Sequence, residues 1–164
     1  MRRFLTVVLA AVAAFSLAAC DGKAARKNLL EGTAFLEENA KAEGIKTLPD
    51  GLQYRIEKSG PTTGIKPKRG DELKVHYEGK LLNGEVFDSS YERGAPTTME
   101  LNRLIAGWME VLPMMRPGDE WVLYVPPELA YGKDGGNGIP PNSVLVFRIE
   151  LIDVLPSGRN TARG

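Results

Sequence analysis

Beyond residue 44 the chain alternates. Leu52, Tyr54 and Ile56 are separated by Gln53, Arg55 and Glu57, and Leu73, Val75 and Tyr77 by Lys74, His76 and Glu78. A period of two puts the apolar side chains on one face of a pleated strand, so both segments predict half-buried strands. Two runs farther along are richer in apolar residues: Trp121-Val122-Leu123-Tyr124-Val125 and Val144-Leu145-Val146-Phe147-Arg148-Ile149-Glu150-Leu151-Ile152. They predict more central strands. Ser59-Gly60-Pro61, Pro67-Lys68-Arg69-Gly70 and Asn83-Gly84 separate these segments, the last being a strong hairpin signal. A short helix fits residues 108–115, with Pro113 limiting its length. The pattern predicts an α+β domain in which an antiparallel sheet carries one helix on one face.

Ahead of this domain the period lengthens. Residues 24–43 are rich in helix formers, and Leu29, Thr33, Leu36 and Ala40 form a thin stripe. Gly32 interrupts the helix at a cost of up to ~1 kcal/mol, and Gly44 is placed to cap it. A stalk, a dimer contact, a helix resting on the domain and a solvated spacer all fit this stretch. Farther upstream, Arg2 and Arg3 precede an apolar run over residues 4–19 broken only by Thr6 and Ser16. Such a run is short of a ~30 Å hydrocarbon core and reads as a secretory signal. Leu17-Ala18-Ala19-Cys20 resembles the lipobox of bacterial lipoproteins, in which the Cys is acylated and becomes the new N-terminus. The expectation is a signal peptide at 1–19, a lipidated Cys20 with a helical spacer at 20–46, a domain at 47–155 and a flexible tail at 156–164. That places the protein outside the cytoplasm, anchored to a bacterial membrane and facing the periplasm or the exterior.

Composition narrows the chemistry. Lys plus Arg equals Asp plus Glu at 21 each, so no field favours nucleic acid. One His (His76) and one Cys (Cys20) leave no Cys/His zinc set and no disulfide framework. His76 alternates away from the apolar face and reads as structural or solvated. No glycine spacing suits a phosphate cradle, and the Gly-rich stretch 132–138 reads as a mobile flap. The expected activity therefore needs neither metal nor cofactor.

Taken singly, the remaining candidates are ordinary. Trp108, Phe87 and Phe147 suit a core, Asp88 could cap the turn at Ser89-Ser90, and Tyr77 and Tyr131 suit an amphipathic surface. Taken in order they are distinctive. Val75-His76-Tyr77-Glu78-Gly79, Gly84-Glu85-Val86-Phe87-Asp88-Ser89-Ser90, Ile105-Ala106-Gly107-Trp108, Leu129-Ala130-Tyr131-Gly132 and Ile139-Pro140-Pro141-Asn142-Ser143 with Val146-Phe147 follow one another in a recognisable register. Over about residues 47–154 the chain resembles the FKBP-type peptidyl-prolyl cis-trans isomerases, and its lead-in resembles the macrophage-infectivity-potentiator branch. The resemblance implies five or six antiparallel strands wrapped around one short helix.

It also implies a pocket between helix and sheet. The floor would be Trp108 and the walls Tyr77, Phe87 and Phe147, with Leu104 and Ile105 on the loop entering the helix. The Ile105 N–H would donate to a substrate carbonyl, Asp88 would be the carboxylate beside Phe87, Tyr131 would offer its hydroxyl at the rim, and Ile139 would overhang the groove. Phe87, Asp88, Ile105 and Tyr131 would be the catalytic set. Thr97 and Met99 stand where many members carry aromatics, which bears on macrolide binding more than on isomerisation; Met99 still fills an apolar gap. The implied partners are proline-containing unfolded or exported polypeptides, a macrolide inhibitor, a membrane through the lipid anchor, and a second copy through the N-terminal helix. A folding chaperone or proline-segment binding module without catalysis is the alternative, and a structural lipoprotein is a third.

Overall fold

The computed structural model describes residues 5–157, with side chains from Gly22 onward. Residues 1–4, the side chains of residues 5–21 (Cys20 among them) and residues 158–164 of the predicted tail lie outside this description, so of the export segment predicted at 1–19 only the backbone of residues 5–19 is described.

The first helix, α1 (Leu5–Asn39), is followed by β1 (Lys46–Thr47), β2 (Gln53–Lys58), β3 (Glu72–Leu81), β4 (Val86–Ser89) and β5 (Thr97–Glu100). Then come α2 (Ala106–Val111), β6 (Glu120–Val125) and β7 (Leu145–Leu155). All pairings are antiparallel, in the order β1-β2-β6-β7-β3-β4, with β5 pairing on β3 beside β4. The α+β architecture is the predicted one, with seven strands in place of five or six. The additional pieces are short edges, Lys46-Thr47 and Thr97-Thr98-Met99-Glu100, which carry no apolar alternation to read. The second helix is shorter than expected: after Val111 the chain tightens into a 3-10 turn, Leu112–Met114, which accommodates Pro113 in its first positions.

Alternation aims one face of the sheet at α2. Leu73, Val75 and Tyr77 from β3, Trp121, Leu123 and Val125 from β6, and Leu145, Phe147, Ile149 and Leu151 from β7 are buried together. They close over Trp108, Val111, Leu112 and Met115. Gly107 makes that approach close, since a Cβ there would lie 2.7 Å from Val125 Cγ1 and 3.0 Å from Leu52 Cδ1. On the solvent side of α2, the neighbouring Asp50 carboxylate and then burial push the Glu110 carboxyl up to about 7. A carboxyl raised in the folded state stabilises most below its unfolded value and loses that contribution as pH rises through the folded one. Urea unfolding midpoints should therefore fall between about pH 4.5 and about pH 7, and Glu110→Gln should flatten that slope.

The helix α1 lies on the opposite face of the sheet. Phe35 rests 5.8 Å from Tyr124, ring to ring. Gln53 Nε2 donates to the Leu36 carbonyl at 2.7 Å, and Asn39 Nδ2 donates to Gln53 Oε1 at 2.8 Å. This corrects two expectations. The docked stripe is Ala25, Asn28, Gly32, Phe35, Leu36 and Asn39, while Leu29 and Ala40 are exposed. Gln53, polar and expected in solvent, is buried because α1 covers it.

Candidate active site

The concave face of the sheet and the start of α2 enclose a groove of ≈ 190 Å³. Its shape follows from register. Gly79 on β3 pairs with Phe147 on β7 and with Asp88 on β4, and Phe147 pairs in turn with Leu123 on β6. A Cβ on Gly79 would lie 2.6 Å from Phe87 Cζ and 2.8 Å from Phe147 Cε1. The space left by one missing side chain is thus occupied by the edges of two rings.

Four aromatic rings meet edge to face. Phe87 and Phe147 are 5.6 Å apart at 90°, Phe147 and Trp108 5.1 Å apart at 84°, and Trp108 and Tyr77 5.2 Å apart at 86°. Each contact sets the positive rim of one ring against the negative face of the next, which fixes ring orientation as well as position. Trp108 and Phe147 are almost wholly buried, and the Trp108 Nε1–H has no acceptor among the described residues. Phe87, Met99, Leu104, Ile105 and Tyr131 are partly buried and complete the lining.

At one wall the apolar lining meets a polar cluster. The Tyr77 hydroxyl donates to Asp88 Oδ2 and the Arg93 guanidinium to Asp88 Oδ1. Arg93 Nη2 also reaches the Tyr77 hydroxyl at 3.0 Å and Thr97 Oγ1 at 3.2 Å, and the guanidinium lies 5.5 Å from the Tyr77 ring centre. Burial pushes the Asp88 carboxyl upward, but the hydrogen bonds from Tyr77 and Arg93 outweigh it and hold the group below its ordinary value. Burial, and then the Asp88 carboxylate, push the Tyr77 phenol up. Near neutral pH the cluster therefore holds a carboxylate, a guanidinium and an intact phenol.

The groove gathers Tyr77, Phe87, Asp88, Met99, Leu104, Ile105, Trp108, Tyr131 and Phe147, all singled out from the sequence. Ile139 is not among the lining residues. It is buried with the core cluster, so the side chain expected to overhang the groove instead roots its loop. Two residues escaped the sequence reading: Arg103, which lines the groove beside Leu104, and Arg93, which organises the polar wall. The available signal for Arg93 was a cation five residues after Asp88, in a segment returning to the same strand through β5. His76 sits on the other face, its Nδ1 2.9 Å from Ser90 Oγ and its ring stacked 4.6 Å from Tyr91.

The family model described as "FKBP-type peptidyl-prolyl cis-trans isomerase" matches residues 63–152, and that described as "Domain amino terminal to FKBP-type peptidyl-prolyl isomerase" matches residues 5–56. The peptidyl-prolyl cis-trans isomerase Mip of Coxiella burnetii is 49% identical over 77% of this chain and 55% of its own. The outer membrane protein MIP of Legionella longbeachae is 44% identical over 80% of this chain and 56% of its own. The chain thus spans little more than half the length of these curated relatives. The crystal structure of FkpA from Escherichia coli superposes with a TM-score of 0.89 at 41% identity, covering 96% of this chain and 74% of that one.

Proposed function

The chain belongs to the FKBP-type peptidyl-prolyl cis-trans isomerase family, and from that premise we propose that it accelerates rotation about X–Pro bonds in exported polypeptides. The observation that carries this reading is the convergence of four edge-to-face rings on one apolar groove with a polar wall.

Rotation about a prolyl amide faces a barrier of ~18–20 kcal/mol because twisting breaks amide resonance. The planar amide carries more charge separation than the twisted one, so water stabilises the ground state more than the transition state. Stripping that water against Trp108, Phe87 and Phe147 penalises the planar form. The Ile105 N–H and the Tyr131 hydroxyl then donate to the carbonyls flanking the proline and hold the rotated geometry. Asp88 orients the wall through Tyr77. A thousandfold acceleration needs only ~4 kcal/mol of preference for the transition state. No bond to the substrate forms or breaks, so no nucleophile or proton transfer is needed. The substrates are unfolded segments with an apolar residue before proline, and a macrolide filling the same groove is the expected inhibitor, with Met99 as part of its wall.

We place the isomerase domain at 47–155, with the signal at 1–19, the helical segment at 20–46 and a tail at 156–164. The Leu17-Ala18-Ala19-Cys20 segment supports export and acylation of Cys20, which would hold the protein on a membrane facing the periplasm or exterior. Fatty-acid labelling that survives in the full chain and disappears in Cys20→Ser tests the anchor.

The activity is tested by refolding a protein whose slow phase is limited by proline isomerisation, an event of tens of seconds unaided. Catalytic amounts of this protein should speed the slow phase and leave the fast phase alone. Equal rates with and without it would leave a proline-segment binding module.

A further inference from the structure

The loop of residues 132–143 leaves the groove at Tyr131 and returns to β7, and α1 holds its far end. Asn28 Nδ2 donates to the Pro141 carbonyl at 2.9 Å, and Asn142 Nδ2 donates back to the Ala25 carbonyl at 3.1 Å. One turn along, Gly32 lies so close to Val144, the first residue after the loop, that a Cβ there would stand 2.8 Å from Val144 Cγ2. The contacts thus join segments more than a hundred residues apart in sequence.

The same residue that reaches the helix also closes the loop. The Asn142 backbone N–H donates to the Gly132 carbonyl at 3.0 Å, immediately beside Tyr131. Asn142 adopts φ +56°, a left-handed conformation unusual for a residue other than glycine. That conformation lets the main chain point at the loop neck while the side chain points at α1. Ser143 Oγ adds a bond to the Pro140 carbonyl at 2.8 Å, and Gly136 and Ile139 exchange paired backbone bonds at 2.9 Å within the loop. Ile139, rooted in the core, and Asn142, rooted on the helix, are therefore the two fixed points of a loop whose residues 136–138, just before Ile139, are exposed.

We propose that α1 is a strut that sets the position of the 132–143 loop, and with it Tyr131 at the rim of the groove, with Asn28, Gly32 and Asn142 as its positioning residues. The consequence for substrate rests on the isomerase reading; the mechanical coupling does not. A glycine inside a helix lowers helix propensity, so its presence at the contact point is explained by close approach to Val144.

The full chain with Asn28→Ala and Asn142→Gly keeps the left-handed backbone available and removes both amide bonds. Gly32→Leu favours the helix locally while blocking its seat. In both variants the Gly136 and Ile139 amides should exchange about tenfold faster, as loss of two modest hydrogen bonds implies, while the β6 amides keep their protection. Because Tyr131 holds the rotated amide, kcat/KM for a prolyl peptide should fall severalfold, mainly through kcat. Gly32→Ala should shift both readouts in the same direction, and adding Val144→Ala to it should restore them toward the original. Unchanged loop exchange in the two variants, or faster exchange with unchanged kcat/KM, overturns the proposal. Should the unaltered protein fail to turn over prolyl peptides, the isomerase reading falls and the exchange comparison alone decides the strut.

Discussion

Gly79→Ala is expected to cost about a hundredfold in kcat/KM while leaving the fold in place. Gly79 lies toward the end of β3, flanked by Asp88 and Phe147, and its φ lies outside the left-handed region. The glycine is there for space. An added methyl would stand 2.6 Å from Phe87 Cζ, 2.7 Å from Phe87 Cε2 and 2.8 Å from Phe147 Cε1, closer than real Cβ atoms come to their neighbours. Both rings belong to the edge-to-face series that ends on Trp108 and Tyr77, so neither can retreat alone. Overpacking of this kind costs roughly 1–3 kcal/mol of stability. Displacement of binding groups by about 1 Å is enough for ~100-fold in rate.

Gly84→Ala separates this from a general intolerance of glycine replacement. Gly84 sits in the hairpin between β3 and β4 at φ +88° with nothing within 4 Å of a Cβ. Its replacement strains the backbone by roughly 1–2 kcal/mol, lowers the melting temperature and leaves kcat/KM unchanged. Peptide isomerisation and thermal unfolding measured on both variants decide the matter. Full activity in Gly79→Ala would mean that ring placement in the groove is not what speeds rotation.

The same contrast shows what the sequence could and could not disclose. Leu73-Val75-Tyr77 and Leu145-Phe147-Ile149-Leu151 are legible because strand burial has a period of two and each segment carries its own evidence. The order of motifs through Phe147 then singled out nine of the residues that line one groove. What stayed hidden was long-range. Nothing near Gln53 says that a helix fourteen and more residues earlier will cover it, and nothing near Gly32 says that Val144 will press against it. The stripe misled at Leu29 and Ala40 because α1 docks through side-chain amides and a glycine as well as through Phe35 and Leu36, and amides and glycine carry little hydrophobic signal. Arg93 was missed for a related reason. Its role is set by where β4 and β5 deliver their ends to the single strand β3, a property of topology and not of local pattern.

Asp88→Ala is expected to lower kcat/KM by at least about tenfold, and the pH profile will show why. In the intact wall the Asp88 carboxylate accepts from both the Tyr77 hydroxyl and the Arg93 guanidinium, and Arg93 also lies against the Tyr77 ring. Without the carboxylate, a partly buried phenol loses its acceptor and the guanidinium loses its counter-charge. Tyr77 is then free to turn away from the Trp108 edge that completes the groove. Since Asp88 orients a wall and takes no proton from substrate, its titration should not appear in the rate near neutrality. Burial is outweighed by its two hydrogen-bond donors, so its folded value lies below the ordinary 3.8. A carboxyl lowered in this way contributes stability fully above its unfolded value and loses it as pH falls through the folded one. Isomerisation of a prolyl peptide should therefore be flat from pH 5 to pH 8 and decline only under more acid conditions. Asp88→Asn, which retains one oxygen acceptor of the same shape, should keep more activity than Asp88→Ala over that whole range, whereas a general base would lose as much in either variant. A rate inflection between pH 5 and pH 8 that vanishes in Asp88→Asn would instead assign Asp88 a proton-transfer role.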